Sequence, residues 1–215
     1  MDWLTKYENA TEFYMDAQRR WPIRRSRPGG KWILASFDDE SIVVYQAYDD
    51  EIAQFACENG HFIGCPGYNQ QRMTWIKTNF LWMMHRSHWI SCSNKKHLPP
   101  DKQSVTSNNT DQVRLKGRIR LQWDPDYDPH GTPIPYRRAI QLDLKKVDSF
   151  LDGRDILRIV DITSFVKNQY TNAVLIKGHR RRDQLDQLRV PIEHIYEPVD
   201  EQIRRHIQLD SWNAA

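Results

Sequence analysis

Apolar residues recur near i, i+3 and i+4 through Trp3, Leu4, Tyr7, Thr11 and Tyr14 or Met15, a spacing that predicts an amphipathic helix over residues 2–20. The Pro28-Gly29-Gly30 signal closes a loop from Arg24, and Trp32–Phe37 then reads as a strand ending at the Asp38-Asp39 turn. A second strand, Ser41–Tyr48, follows at once and completes a predicted hairpin. Asp49-Asp50 is placed to cap a helix that Asn59-Gly60 stops. From Arg72 to Trp89 the period is again helical: Trp75, Trp82 and Met83 share a side with Asn79 and Arg86, and Phe80, Met84 and Ser87 lie beside them. That stripe suits a core helix, with Arg72, Lys77, His85 and Arg86 at its margin, where a long stem packs and a basic head meets an anion.

Periodicity then lapses. Residues Ser91–Asp111 are rich in Ser, Asn, Lys and Pro and predict a mobile loop. Arg114–Trp123 alternates basic and apolar residues as a half-packed strand does, Asp124–Pro133 is turn-forming, and Tyr136–Leu144 is a further strand with Ile140 or Ala139, Leu142 and Leu144 inward. Lys146–Leu151 predicts a short helical turn, and Ile159–Thr163 leads into a helix over Ser164–Ala173. Arg180–Leu188 is too charged for a core element. Val190–Tyr196 predicts the last strand, with Pro191 at its start or on an edge, and Pro198 opens a helix from Val199 to about Leu209. Strands and helices are interspersed without regular βα alternation. The expected architecture is therefore α+β: one domain, with a mixed, mostly antiparallel sheet and flanking helices. Residues 1–31 form an N-terminal helix and loop, 32–209 the domain proper and 210–215 a tail.

Composition narrows the class. With 215 residues the chain fits one domain. Its net charge is only +3, but Lys and Arg cluster at Arg19-Arg20, Arg24-Arg25, Lys95-Lys96, Arg114–Arg120 and Arg180–Arg182. Local basic patches are expected rather than a uniformly basic surface, and such patches favour nucleic acid or another phosphate-bearing ligand. The 3 cysteines, Cys57, Cys65 and Cys92, lack paired zinc spacing and are simplest as reduced thiols of an intracellular protein, cytoplasmic or nuclear. No run approaches the roughly 20 apolar residues of a membrane span, and the N-terminus lacks a signal-peptide pattern. Oligomeric state is not readable.

Several motifs are specific enough to name a family. Tyr45-Gln-Ala-Tyr48 with Ile52-Ala53, Arg72-Met-Thr-Trp-Ile-Lys77, Phe80-Leu-Trp-Met-Met84 with Arg86-Ser87, Gln122-Trp-Asp-Pro125, Tyr136-Arg137 with Ile140-Gln141, Asp161-Ile-Thr163 and Pro191-Ile-Glu193 to Tyr196 resemble the family called domain of unknown function 4291, from about Trp32 to about Leu209. Two departures stand out: that pattern tends to carry basic residues where this chain has Leu34 and Val43, and a longer helical segment where it has Ser91–Asp111.

A more distant resemblance concerns chemistry. Val44–Tyr48 followed by a helix, with Glu193-His-Ile-Tyr196 late in the chain, is similar to the layout of the ADP-ribosyltransferase superfamily, which implies NAD as co-substrate. In that comparison Glu193 is the catalytic carboxylate, facing the positive charge that builds on the ribose as the nicotinamide bond breaks. Tyr45 or Tyr48 stacks on nicotinamide, Gln46 hydrogen-bonds its amide or ribose, and Arg72, Lys77 or Arg86 neutralises the pyrophosphate. Trp75, Trp82, His85 and Arg137 complete the expected pocket. The same Trp and Arg residues also suit a non-enzymatic RNA or DNA binder, and a scaffold whose motifs are purely structural is the third alternative.

No metal site is expected. His85 and His88 at i, i+3 lack a local carboxylate partner, and Asp124, Asp126 and Asp128 lack the glutamate that closes a calcium loop. No Gly-rich phosphate loop, nucleophile elbow or HExxH element occurs.

Overall fold

The computed structural model describes residues 2–20, 30–90, 111–115, 119–173 and 185–210. The expected loops Ser91–Asp111 and Arg24–Gly30 and the tail 210–215 lie outside them except for Asp111, Gly30 and Asp210, and so does the Arg180–Arg182 cluster.

Asp2 accepts the amides of Leu4 and Thr5 and so starts α1 (Trp3–Asn9). The single helix expected over 2–20 does not form. The chain breaks at Ala10, extends as β1 (Thr11–Phe13) and resumes as α2 (Tyr14–Arg20), because the extended residues pair with a distant strand. Long-range backbone pairing overrides the local period here. β2 (Ile33–Ala35) is shorter than expected and does not pair with residues 41–48 as a regular hairpin. Around the Asp38-Asp39 turn, the Asp38 carboxylate accepts from the amides of Glu40 and Ser41, but the two arms meet in an isolated bridge, Phe37 with Ile42, rather than in a ladder. α3 (Asp50–Asn59) matches the expected helix, and Gly60 ends it in the left-handed region at φ 74°.

The expected helix 72–89 splits in two. Thr74–Lys77 is a strand, β3, and only Phe80–Ser87 is helical, as α4, because the Asn79 side chain takes the Trp82 amide and caps the helix there. Trp75 and Trp82 therefore belong to different elements. Three consecutive left-handed residues, His88, Trp89 and Ile90, end α4, and the Trp89 indole donates to the Pro129 carbonyl at 3.2 Å.

The stretch expected as one strand around 114–123 is a hairpin of β4 (Asp111–Leu115) and β5 (Ile119–Tyr127). β5 continues through Asp124–Tyr127, which the sequence suggested was a turn. The reversal is confined to Asp128–Thr132, where the Asp128 carboxylate accepts from the His130 and Thr132 amides. β6 (Pro133–Leu144), α5 (Asp148–Leu151) and α6 (Thr163–Ala173) follow close to expectation. The predicted final strand 190–196 is two strands, β7 (Arg189–Pro191) and β8 (His194–Tyr196), and α7 (Glu201–His206) closes the described chain with Asp200 as its cap.

The class is α+β, in one domain. Every pair of named strands is antiparallel: a four-stranded sheet in the order β3-β6-β5-β4, and the two-stranded pairs β1-β7 and β2-β8. Period two assigns the faces of the large sheet. Leu121, Trp123 and Ile140 are buried on one face against Ile33, Ala35 and Ile207, and the Trp123 indole donates to the Ile207 carbonyl at 2.9 Å. The opposite face lies under α4, which joins α2, α6 and β7 in the largest core cluster.

Leu121 has 1% of its surface exposed in the apolar layer. Leu121→Ala is expected to lower stability by about 2–5 kcal/mol, read from the urea midpoint at unchanged slope.

Candidate functional site

The covered face of the large sheet is polar. Register places Lys77 beside Gln141, Gln141 beside Gln122, Trp75 beside Asp143 and Asp143 beside Arg120, with Asp124 opposite Ala139. Lys77, Gln141, Asp126 and Asp143 are all buried there. Burying so many polar groups is tolerable only when each is partnered. The Lys77 ammonium donates to Asp124 at 2.7 Å and to the Ala139 carbonyl at 3.3 Å, and lies 3.7 Å from the centre of the Trp82 ring. Burial nonetheless pushes its pKa down to about 8, against the pull of Asp124. Asp143 accepts from Arg120 at 2.6 Å, from Gln122 at 2.7 Å and from Gln141. Arg137 donates to the fully buried Asp126.

Glu193 continues this polar seam toward the start of α4. Its carboxylate accepts the Phe80 amide at 2.8 Å, in the first turn of the helix, where a carboxylate is favoured. The residue as a whole is only partly buried, but desolvation of the carboxyl outweighs that bond, and Asp126 and Glu12 add repulsion that Arg137 offsets in part. The result is a pKa pushed up to about 8, so that Glu193 is largely protonated at neutral pH. Burial, with a smaller addition from Glu193, raises the phenols of Tyr45 and Tyr7, whose hydroxyls are 3.3 Å apart. A cavity of about 20 Å³, room for a single water, is walled by Glu12, Leu34, Asn79, Phe80, Arg137 and Glu193.

The expected site residues thus fall into separate places. Glu193, Tyr45 and Arg137 come together at the start of α4. Gln46 and Tyr48 both turn to the Thr74 hydroxyl, and the Tyr48 ring packs with Phe62 and Tyr68 in another cluster. They do not line the cavity beside Glu193. Tyr45 presents no open face for stacking: it is 5% exposed and meets Phe80 edge-on at 5.5 Å. Lys77, expected at a rim, is instead sealed beneath Trp82. Arg86 lies over the Trp75 ring, the guanidinium 5.2 Å from its centre, and neither lines the cavity beside Glu193; Arg72 is exposed. His85 stacks on Tyr127 at 3.9 Å, and burial first, then His88 and Arg86, lower its pKa, which favours a neutral ring. Gly131 permits that stack: it sits at φ 79°, and a Cβ there would come within 2.6 Å of His85 Nδ1.

Asp124, Asp126, Gln141, Asp143, Arg120 and Gln122 are the residues sequence reasoning missed. Their signal was polar residues at every second position, out of phase with Leu121, Trp123, Ile140 and Leu142.

The model of one family, domain of unknown function (DUF4291), matches residues 32–99 and 91–196. The chain belongs to this family. No curated protein and no solved structure matches it. The DUF4291 match takes in α4, the sheet and Glu193, whereas α1, β1, α2 and α7 lie outside it. Of the two positions where DUF4291 proteins are expected to be basic, Leu34 lines the cavity beside Glu193 and Val43 packs against the largest core cluster. Among the described residues, no group of three or more His, Cys, Asp or Glu side chains is arranged to hold a metal ion, and no helix is long and apolar enough to cross a membrane.

Two measurements probe these assignments. Asp124→Asn leaves Lys77 buried without its counter-charge and is expected to cost about 3–5 kcal/mol, whereas the double variant Lys77→Met, Asp124→Leu should recover most of that loss. A single variant as stable as the parent would show that Lys77 is not charged in the fold. Glu193 has the opposite handle. Unfolded, it releases its proton near the ordinary value of 4.5, but folded it keeps the proton to about 8, so its contribution is complete below 4.5 and is lost as pH rises through 8. The melting temperature of Glu193→Gln, which can still accept from Phe80, should therefore fall less between pH 5 and 8 than that of the parent.

Proposed function

We propose that the chain is a group-transfer enzyme in which Glu193 is the catalytic carboxylate, the reaction being ADP-ribosyl transfer from NAD to protein or nucleic acid. The observation that carries this reading is the setting of Glu193: a carboxyl at the start of α4, among Tyr45, Tyr7 and Arg137, with its pKa pushed up to about 8 by desolvation. Perturbed carboxyls in confined polar settings are where catalysis concentrates. Glycosidic cleavage builds positive charge on the ribose, and an ionised Glu193 beneath it supplies the opposing charge in a low-dielectric site. A cationic nicotinamide ring nearby draws the proton off the carboxyl, which turns the raised pKa into a device that couples ionisation to substrate binding.

Space sets a condition. A cavity of about 20 Å³ does not admit a dinucleotide, so the reaction requires the elements over Glu193 to move. Arg86 and Arg72, which are not sealed as Lys77 is, are the basic residues this reading assigns to the pyrophosphate once that movement has occurred.

One observation favours a second reading, a non-enzymatic binder of nucleic acid or another phosphate-bearing ligand. In the Trp75–Arg86 pair a guanidinium lies over an aromatic ring, which brings a phosphate-binding cation and a stacking group to one place. Binding of that kind weakens steeply with salt and is indifferent to Glu193→Gln.

Incubation with NAD labelled on the adenylate, in the presence of lysate protein and mixed RNA and DNA, separates the two. Transfer of label that falls at least about a hundredfold in Glu193→Gln, and that rises from pH 7 to 9, is the expected result. Oligonucleotide binding with no NAD consumption by either form would favour the binder instead.

A further inference from the structure

Residues 2–13 cover the Glu193 site from outside the family match, and the way they are held is informative. Five consecutive residues, Ala10–Tyr14, are docked by their main chain. The Ile192 amide donates to the Ala10 carbonyl, Thr11, Glu12 and Phe13 pair with Pro191, Val190 and Arg189, and the Tyr14 amide donates to the Leu188 carbonyl. Among the described residues, β1 is the only strand paired with β7. Arg189 reads the docked strand further: its guanidinium donates to the Thr11 hydroxyl at 2.9 Å and the Thr11 carbonyl at 2.8 Å, and lies 5.0 Å from the centre of the Phe13 ring. Glu12 points into the cavity beside Glu193 and pairs with Arg20 of α2.

The docked piece is secured at the margin of the core. α1 has no buried residue; Leu4 and Tyr7 pack against the largest core cluster from outside, Tyr7 through its hydroxyl contact with Tyr45 and an edge contact with Phe165 at 5.5 Å, Arg158 lies over Trp3 at 4.0 Å, and in β1 Thr11 is buried. α2, by contrast, buries Tyr14 and Ala17 in the main core. A segment with few buried contacts next to one with many opens first, with the boundary at Tyr14. Its departure uncovers the edge of β7, the carboxyl of Glu193 and the hydroxyl of Tyr45 together.

We propose that β7 is a docking edge for an extended polypeptide and that residues 2–13 are its resident occupant. The partner is recognised by strand pairing, with a hydroxyl residue, an acidic residue and an aromatic residue in succession, as in Thr11-Glu12-Phe13. Strand addition of this kind takes affinity from the main chain and selectivity from alternate side chains. This rests on the transferase reading only in making the docked polypeptide the acceptor; the docking itself stands without it.

The test uses the full chain carrying Glu12→Pro, which removes a strand amide from the occupant and leaves Arg189, Arg137 and Glu193 in place. A fluorescent peptide of residues 8–16 should bind this variant at least about tenfold more tightly than the unaltered chain, where the tethered strand competes at high effective concentration. The same peptide with Lys in place of its Glu12 should bind less well. Equal binding to variant and parent, or binding to neither, overturns the proposal. Hydrogen exchange on the unaltered chain gives an answer even if the variant folds poorly. Amides of residues 10–14 should exchange faster than those of β5 and β6, and exchange at the same rate shows that the segment does not open separately and sinks the idea. Peptide binding without any NAD consumption would overturn the transferase reading alone, and NAD consumption without peptide binding would overturn the docking edge alone.

Discussion

A lysine ammonium with no exposure is the constraint around which the architecture is arranged. Lys77 cannot be moved without stranding Asp124, and the ring that closes over it, Trp82, belongs to α4 while its other partners belong to β5 and β6. One charge thus registers three strands and a helix. The geometry is specific in a way that apolar packing is not, because an ammonium displaced by an ångström or two loses its hydrogen bonds while a displaced leucine loses only part of its contact. Desolvation prevents the pair from being a simple gain in stability, and the lowered pKa of Lys77 records the cost. Its return is orientation: α4 is held at a fixed height over the sheet, and the first amide of α4 is consequently held where Glu193 meets it.

The seam from Asp143 to Glu193 therefore has two characters. At the Arg120–Asp143 end every polar side chain is matched by others, with Asp143 accepting three bonds, and the arrangement resembles a fastening. At the Glu193 end the match is incomplete. There the carboxyl has one backbone donor and carboxylate neighbours in Asp126 and Glu12, which is a setting for exchange of a proton or a partner rather than for rigidity.

The sequence was most legible where local chemistry decides the outcome. The α3 helix, bounded by Asp49 and Gly60, and the apolar alternation of β6 came through because capping and period two act within a few residues. It was least legible where distant backbone decides. β1 lies inside a helical period, Thr74–Lys77 lies inside another, and both became strands because β7 and β6 were available to pair with them. Of the residues that motif and type single out, Glu193, Tyr45 and Arg137 are the ones that lie together at the start of α4. Asp124 and Asp126 were taken for turn residues, since Pro125 sits between them and an edge-tolerant proline in a long strand reads locally as a break. The ADP-ribosyltransferase resemblance groups Gln46 and Tyr48 with Glu193, yet both side chains turn to Thr74.

Glu193 sits in a joint of two residues. Ile192 and Glu193 link β7 to β8, and those strands belong to different sheets, so any slide of one pair past the other is taken up in this short span. Ile192 is clamped on both sides, its amide by Ala10 and its carbonyl by the Ser36 hydroxyl at 2.6 Å. The two clamps hold the successive peptide groups on either side of the Ile192 Cα, and the second of these carries the Glu193 amide. Mechanically, the carboxyl is mounted at a pinned joint between two strand pairs rather than on the face of a sheet.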